Sequence, residues 1–241
     1  MRRRFFVERF ENQQAVMHGD AAHHLGRVLR ARPGQLLELS DGCAAWLARI
    51  DGVARDRIVF SLVERLPAPC PSIETTLLLS VVKFDAFEWA LEKATELGVA
   101  RIVPLAAGRS EKALLAAAVK RSERWNRILL EASQQCRRLQ VPSLSPLTKP
   151  EAAFAAQQAG VRILLSEDSS APSLKRILAP RGIPTVALAI GPEGGWTDDE
   201  FTTARSACFQ DASLGRLILR TETAVIASLA AVNYALSPDE P

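Results

Sequence analysis

Residues 188–196, LAIGPEGGW, and residues 214–224, LGRLILRTETA, outline a ligand cleft. Each is an apolar, strand-like run that passes into a polar, backbone-exposing turn and then a helix, so two strand ends can offer N–H and C=O groups to one ligand. Gly191, Gly194 and Gly195 lack a Cβ and admit close approach to the main chain, while Pro192 stiffens the turn. Main-chain groups there suit the edges of an adenine and a ribose. A glycine-rich turn after a strand also suits phosphate, but neither G-x-G-x-x-G nor G-x-x-x-x-G-K-[ST] occurs at this place. A dehydrogenase or a nucleoside triphosphatase is therefore disfavoured.

Holding two such turns together calls for alternating strands and helices, and the second part of the chain has that pattern. Strands are expected at 76–82, 100–106, 161–166, 185–190 and 216–219, and helices at 85–97, through most of 113–138, and at 149–158, 173–179, 197–207 and 223–236. The alternation predicts an α/β domain with a mostly parallel sheet covered by helices on both faces. Thr197 and Glu200 stand three apart as a capping box, and Gly98 is placed to end the helix before it. Val225, Leu229, Val232 and Leu236 form one helical stripe, read as core or subunit interface. Before residue 70 the runs are short and alternating, with Asp-Gly turn signals at 41–42 and 51–52 and one helical insert at 20–29 that Asp20 would cap. That reads as a small β-barrel. Pro67, Pro69 and Pro71 mark a semi-rigid connection, giving domains 1–70 and 71–241.

Composition bounds the class. The 241 residues are 48% hydrophobic and 24% charged, as expected for an ordinary soluble globular protein. No apolar run is long enough to cross a bilayer, and the basic N-terminus leads into no apolar segment, so a cytoplasmic protein without a membrane partner is expected. Cys43, Cys70, Cys136 and Cys208 are scattered, which argues against a zinc site or a disulfide framework. The net charge of +3 permits a nucleic-acid partner without demanding one. Most basic residues are arginine, whose planar fork suits phosphate, although codon bias alone would produce the same excess. Arg121, Arg124 and Arg127 share a helical face, read first as solvated and second as an RNA contact.

The motifs HHLGRVLR (23–30), EKATELGV (92–99), IGPEGG (190–195) and LGRLILRTETA (214–224), in this order, resemble the RsmE family of 16S ribosomal RNA uridine methyltransferases, which modify N3 of uracil. The likeness spans essentially the whole chain. It implies a PUA-like, RNA-binding β-barrel followed by a SPOUT-class α/β domain whose C-terminal trefoil knot forms the S-adenosylmethionine site. It also implies a homodimer acting on 16S rRNA of the small ribosomal subunit. Where the family often has K-G-D-[KR] this chain reads Lys83-Phe84-Asp85-Ala86, and where it has E-Q-[SC]-G-R this chain reads Gln134-Gln135-Cys136-Arg137-Arg138, which excludes a catalytic carboxylate at 134. Alternatives are a knotted methyltransferase for another RNA position, such as a tRNA ribose, and a non-catalytic rRNA-binding assembly factor.

Methylation of uracil N3 requires loss of a weakly acidic imide proton and stabilisation of charge on N3, O2 and O4, with no need of a metal. Arg220, Glu222 and Arg138 are the candidate catalytic residues. Arg220 either stabilises that charge or pairs with Glu222 or Glu193; either carboxylate could take the proton, or hold a loop by accepting backbone N–H bonds, the default for both. The expected cofactor set is Leu165, Ile190, Gly191, Pro192, Glu193, Gly194, Gly195, Leu214, Gly215, Leu219, Arg220, Thr221, Thr223 and Ala224. For RNA the candidates are Arg2, Arg3, Arg4, His24, Arg27, Arg30, Arg32, Arg137 and Arg138.

Overall fold

The computed structural model describes residues 3–67, 73–168, 170–179 and 182–236. They pack as two compact units, one of residues 1–70 with 133–141 and the other of residues 71–132 with 142–241. Arg2 and most of the 67–71 connection, with Cys70, lie outside the described residues.

In the first unit six strands form one mixed sheet: β1 (Arg4–Phe6), β2 (Phe10–Glu11), β3 (Gln14–His18), β4 (Leu36–Ser40), β5 (Ala45–Val53) and β6 (Arg57–Leu66). Their order is β1-β4-β5-β6-β3-β2, with β1 parallel to β4 and the other pairs antiparallel. Alternate side chains of these strands bury Phe5, Met17, Leu39, Ile50, Ile58 and Phe60 on one side. Asp41 closes the β4–β5 turn by accepting the N–H groups of Cys43 and Ala44, both at 2.8 Å, and Gly42 supplies the positive φ. Asp51-Gly52 is not a turn. It lies within β5 beside a register shift, where glycine eases a bulge, and the chain reverses instead between Ala54 and Arg57.

Helix α1 (Gly19–His23) runs into a π-helical turn, His24–Val28. His18, without a side-chain cap bond, takes the N-cap position expected of Asp20. Because the helix starts earlier, Asp20 stands in its first turn and meets the helix dipole rather than the free N–H groups directly. Gly26 lets the π turn approach β5, since a Cβ there would stand 3.2 Å from Val53 Cγ1.

Residues 133–141 are stitched to this unit by polar contacts. Arg4 pairs with Glu38 at 3.1 Å and donates to the Arg137 carbonyl at 2.7 Å; Arg137 reaches the other Glu38 oxygen at 3.4 Å. Ser40 and Gln140 each add a 2.7 Å bond, to the carbonyls of Leu139 and Gly42.

The second unit is α/β: β7 (Glu74–Ser80), α2 (Phe84–Glu96), β8 (Arg101–Leu105), α3 (Lys112–Ala118), α4 (Ser122–Gln135), β9 (Ser143–Leu144), α5 (Pro150–Ala155), β10 (Val161–Leu165), α6 (Leu174–Ile177), β11 (Thr185–Ile190), α7 (Asp198–Ser206), β12 (Gln210–Ala212) and α8 (Thr221–Leu236). The sheet order is β12-β10-β11-β7-β8-β9 and every pair is parallel. Leu77, Leu78, Leu79, Val186, Ala187 and Leu188 are all buried, as strands covered on both faces require. Gly98 follows α2 at φ +89°, and α8 buries Val225, Leu229 and Val232. One expected strand is absent: residues 216–219 form none, because the edge of the sheet beside β10 is taken by β12 just upstream. Arg121 and Arg124 are not simply solvated. Both bind the buried carboxylate of Glu88, at 2.7 and 2.8 Å, and Arg121 also lies 3.9 Å over the Phe84 ring. Arg127 is exposed.

Candidate active site

A parallel sheet exposes its carboxyl strand ends on one side, and where neighbouring connections diverge a crevice is left. In the second unit β7 and β11 are neighbours, and the chain passes from β7 to β8 on one side and from β11 to β12 on the other. Residues beyond the ends of five strands line one cavity of about 1070 Å³: Lys83 after β7, Arg109 after β8, Leu165–Asp168 spanning the end of β10, Ile190–Trp196 at β11, and Ser213–Thr221 after β12, with Glu222 and Ala224 of α8.

Local chemistry fixes the walls. Gly195, at φ +71°, closes a turn by donating its N–H to the Pro192 carbonyl at 2.8 Å. A Cβ on Gly191 would stand 3.1 Å from the Trp196 indole, whose Nε1–H donates to the Leu165 carbonyl at 3.0 Å. Thr221 Oγ1 donates to the Gly191 carbonyl at 3.2 Å, tying the start of α8 to the end of β11. The expected capping box is formed: Thr197 accepts from the Glu200 N–H at 3.2 Å, and Glu200 accepts from the Thr197 N–H at 2.8 Å. The other oxygen of Glu200 accepts the Gly108 N–H at 2.8 Å, and Arg109 donates to the Gly194 carbonyl at 2.9 Å, so the loop after β8 is fastened both to α7 and to the glycine turn.

Every residue of the expected cofactor set lines the cavity except Thr223. Thr223, in the first turn of α8, is exposed to solvent. Among the described residues Arg220 forms no ion pair, so its pairing with Glu222 or Glu193 is not found. Nor does either of those carboxylates accept a backbone N–H; Glu200 holds the loop instead. Glu222 Oε2 is buried and has no hydrogen-bond partner among the described residues. Arg138 is not a lining residue. It lies in the 133–141 stretch, donates to the Gln140 carbonyl at 3.0 Å, and burial lowers its pKa from the ordinary arginine value.

Of the RNA candidates, Arg3, His24, Arg27, Arg30 and Arg32 are exposed and make no ion pair among the described residues. Arg4 is a correction: the Glu38 pair buries it to 8% exposure and leaves no free guanidinium for phosphate. Arg137 is half-exposed and bound to the same carboxylate. Arg109 was not among the expected site residues and Lys83 was noted only at the K-G-D-[KR] position, although both lie beyond the carboxyl ends of strands, where parallel sheets place ligand-facing groups.

Residues 69–233 match the RNA methyltransferase domain family, and residues 19–63 match the RNA methyltransferase PUA domain family. A ribosomal RNA small subunit methyltransferase E from Synechocystis sp. is 34% identical over 222 residues, covering 89% of this chain and 71% of the relative. The chain belongs to the ribosomal RNA small subunit methyltransferase E family. A second member of the family, from Bacillus subtilis, is 27% identical over 251 residues and covered to 96% on both sides. Among solved structures, a ribosomal RNA small subunit methyltransferase E from Neisseria gonorrhoeae bound to S-adenosyl methionine superposes with a TM-score of 0.87 at 31% identity, over 98% of each chain. The fold agrees with the PUA-like plus SPOUT expectation in its mixed sheet followed by a parallel α/β unit. None of the described helices is long and apolar enough to cross a membrane.

Proposed function

We propose that the chain transfers the methyl group of S-adenosylmethionine to N3 of a uridine in 16S rRNA of the small ribosomal subunit, in the cytoplasm and as a homodimer. The cavity carries this reading. Its volume holds a nucleoside-sized cofactor beside one base. Leu165, Ile190, Leu214, Leu219 and Ala224 give it apolar walls, and the orphaned Glu222 Oε2 is an acceptor that a bound donor would satisfy. When bound, S-adenosylmethionine supplies an electrophilic methyl on a sulfonium and a neutral thioether leaving group.

The chain's residues do the rest. Walls fastened by Trp196, Thr221 and Arg109 hold the reacting groups in line. The N3–H proton passes to Glu222, the N3 electron pair forms the bond to the methyl carbon, and the unpaired guanidinium of Arg220 stabilises the negative charge on the imide. RNA recognition is assigned to residues 1–70, whose exposed His24, Arg27, Arg30 and Arg32 support it, and methyl transfer to residues 71–241. Leu217 and Ile218, adjacent and exposed to 82% and 75%, support a second copy as the partner covering this segment of the second unit. Calorimetry with S-adenosylmethionine, followed by transfer of a labelled methyl to small subunits lacking the modification, tests the reading; absence of either activity would end it.

A further inference from the structure

A second, smaller cavity of about 130 Å³ lies beside the first and shares Lys83, Arg109, Pro192, Glu193 and Gly194 with it. Its remaining walls are Val81, Val82, Ser110, Glu111 and Leu114. It is far below the ~300 Å³ at which whole small-molecule ligands are held, so it suits one flat ring rather than a second cofactor. Apolar surface from Val82, Leu114 and Pro192 matches the face of such a ring, and Glu111 offers an acceptor for its N–H edge. The two cations stand where the cavities meet. Lys83 has no ion pair among the described residues, and Arg109 uses one Nη on the Gly194 carbonyl, leaving other N–H groups of its fork.

We propose that this smaller cavity seats the RNA base flanking the target uridine, with the phosphodiester that joins the two nucleotides held at the rim by Lys83 and Arg109. The inference rests on the proposed RNA methyltransferase function and adds a specificity subsite to it. The target base, taken out of its stack, occupies the larger cavity beside the cofactor, and the chain crosses the rim into the smaller one. Contacts to a flanking nucleotide are a common source of sequence context in enzymes that act on an extruded base.

Leu114→Trp should fill the smaller cavity, and Lys83→Ala should remove one phosphate contact. In the full-length protein, Leu114→Trp is expected to weaken binding of a single-stranded RNA spanning the target uridine at least 10-fold, while S-adenosylmethionine affinity measured by calorimetry stays within twofold. Lys83→Ala is expected to lower the slope of log affinity against log salt by about 0.7, the value for one phosphate on a single strand. Wild-type RNA affinity and salt slope in either folded variant overturns the subsite. Because RNA binding is read separately from turnover, a wild-type protein that binds this RNA but never methylates small subunits lacking the modification would count against the proposed function and leave the subsite to be judged on these two variants.

Discussion

The indole N–H of Trp196 donates to the carbonyl of Leu165 across 31 positions of sequence, at 3.0 Å, and so ties the turn after β11 to the end of β10. Both residues line the cavity, and Trp196 is buried against Phe154. Trp196→Phe keeps an aromatic ring and removes this bond, leaving the Leu165 carbonyl without that donor. A stability loss of about 1 kcal/mol is expected, with S-adenosylmethionine affinity reduced severalfold. Chemical denaturation and calorimetry on the same preparation check it; unchanged values in both would show that the bond does not shape the cavity.

Gly194 faces Arg109 rather than open space, since a Cβ there would stand 3.2 Å from Arg109 Cβ. Gly194→Val should therefore abolish cofactor binding by displacing the turn. Replacing Arg109 with Gly in the same chain, which removes that Cβ, should recover part of the affinity. If the double variant binds no better than Gly194→Val alone, the valine acts on the ligand directly.

Glu38 lies between two guanidinium groups and is almost fully buried. Arg4→Met would leave that carboxylate with Arg137 at 3.4 Å and cost roughly 3 kcal/mol of stability, the scale for breaking a buried pair. RNA affinity of the folded fraction should be unchanged. Denaturant titration beside RNA binding separates this structural role from a phosphate contact.

The hydrogen bond from Arg124, aided by Arg121, holds the Glu88 carboxyl below the ordinary glutamate range against the opposing effect of burial. A depressed carboxylate pKa adds stability that is present above the unfolded value of about 4.3 and is lost as pH falls through the lower, folded value. Glu88→Gln should flatten the acid limb of a plot of melting temperature against pH. A limb identical to that of the wild type would remove Glu88 from the acid response.

Arg220→Lys keeps the charge and discards the fork. Single-turnover methylation should slow by roughly 10²-fold with cofactor affinity nearly unchanged, as for a group that meets charge developing only in the transition state. Reduced thermal stability with normal chemistry would make Arg220 structural.

The cavity walls were legible because LAIGPEGG joins a strand to a small, polar turn and LGRLILRTETA joins an apolar run to a helix start, and thirteen of the fourteen expected cofactor positions line the cavity, although the second run forms no strand. Local pattern misled where tertiary pairing decided the outcome. Residues 216–219 carry strand composition, yet Gln210–Ala212 occupies the edge beside β10 and leaves Leu217 and Ile218 in the open. The 133–141 stretch reads as the tail of a helix, and only the Arg4–Glu38–Arg137 cluster and the Ser40 and Gln140 bonds assign it to the first unit. Arg4 itself has the same residue type as a phosphate contact, and only its partner distinguishes the two. Arg109 was hidden, and Lys83 stood only as a motif position, because their significance lies in the side of the sheet they reach, which spacing along the chain does not encode.

The central claim is the reaction itself, methylation of uracil N3 in 16S rRNA. Mass-spectrometric nucleoside analysis of 16S rRNA from cells with and without this protein tests it most directly, since reaction, atom and substrate are read together. The account predicts that N3-methyluridine is present in 16S rRNA with the protein, absent without it, and restored by the wild-type chain but not by an Arg220→Ala form. An unchanged N3-methyluridine content, or loss of a different modified nucleoside, would contradict it.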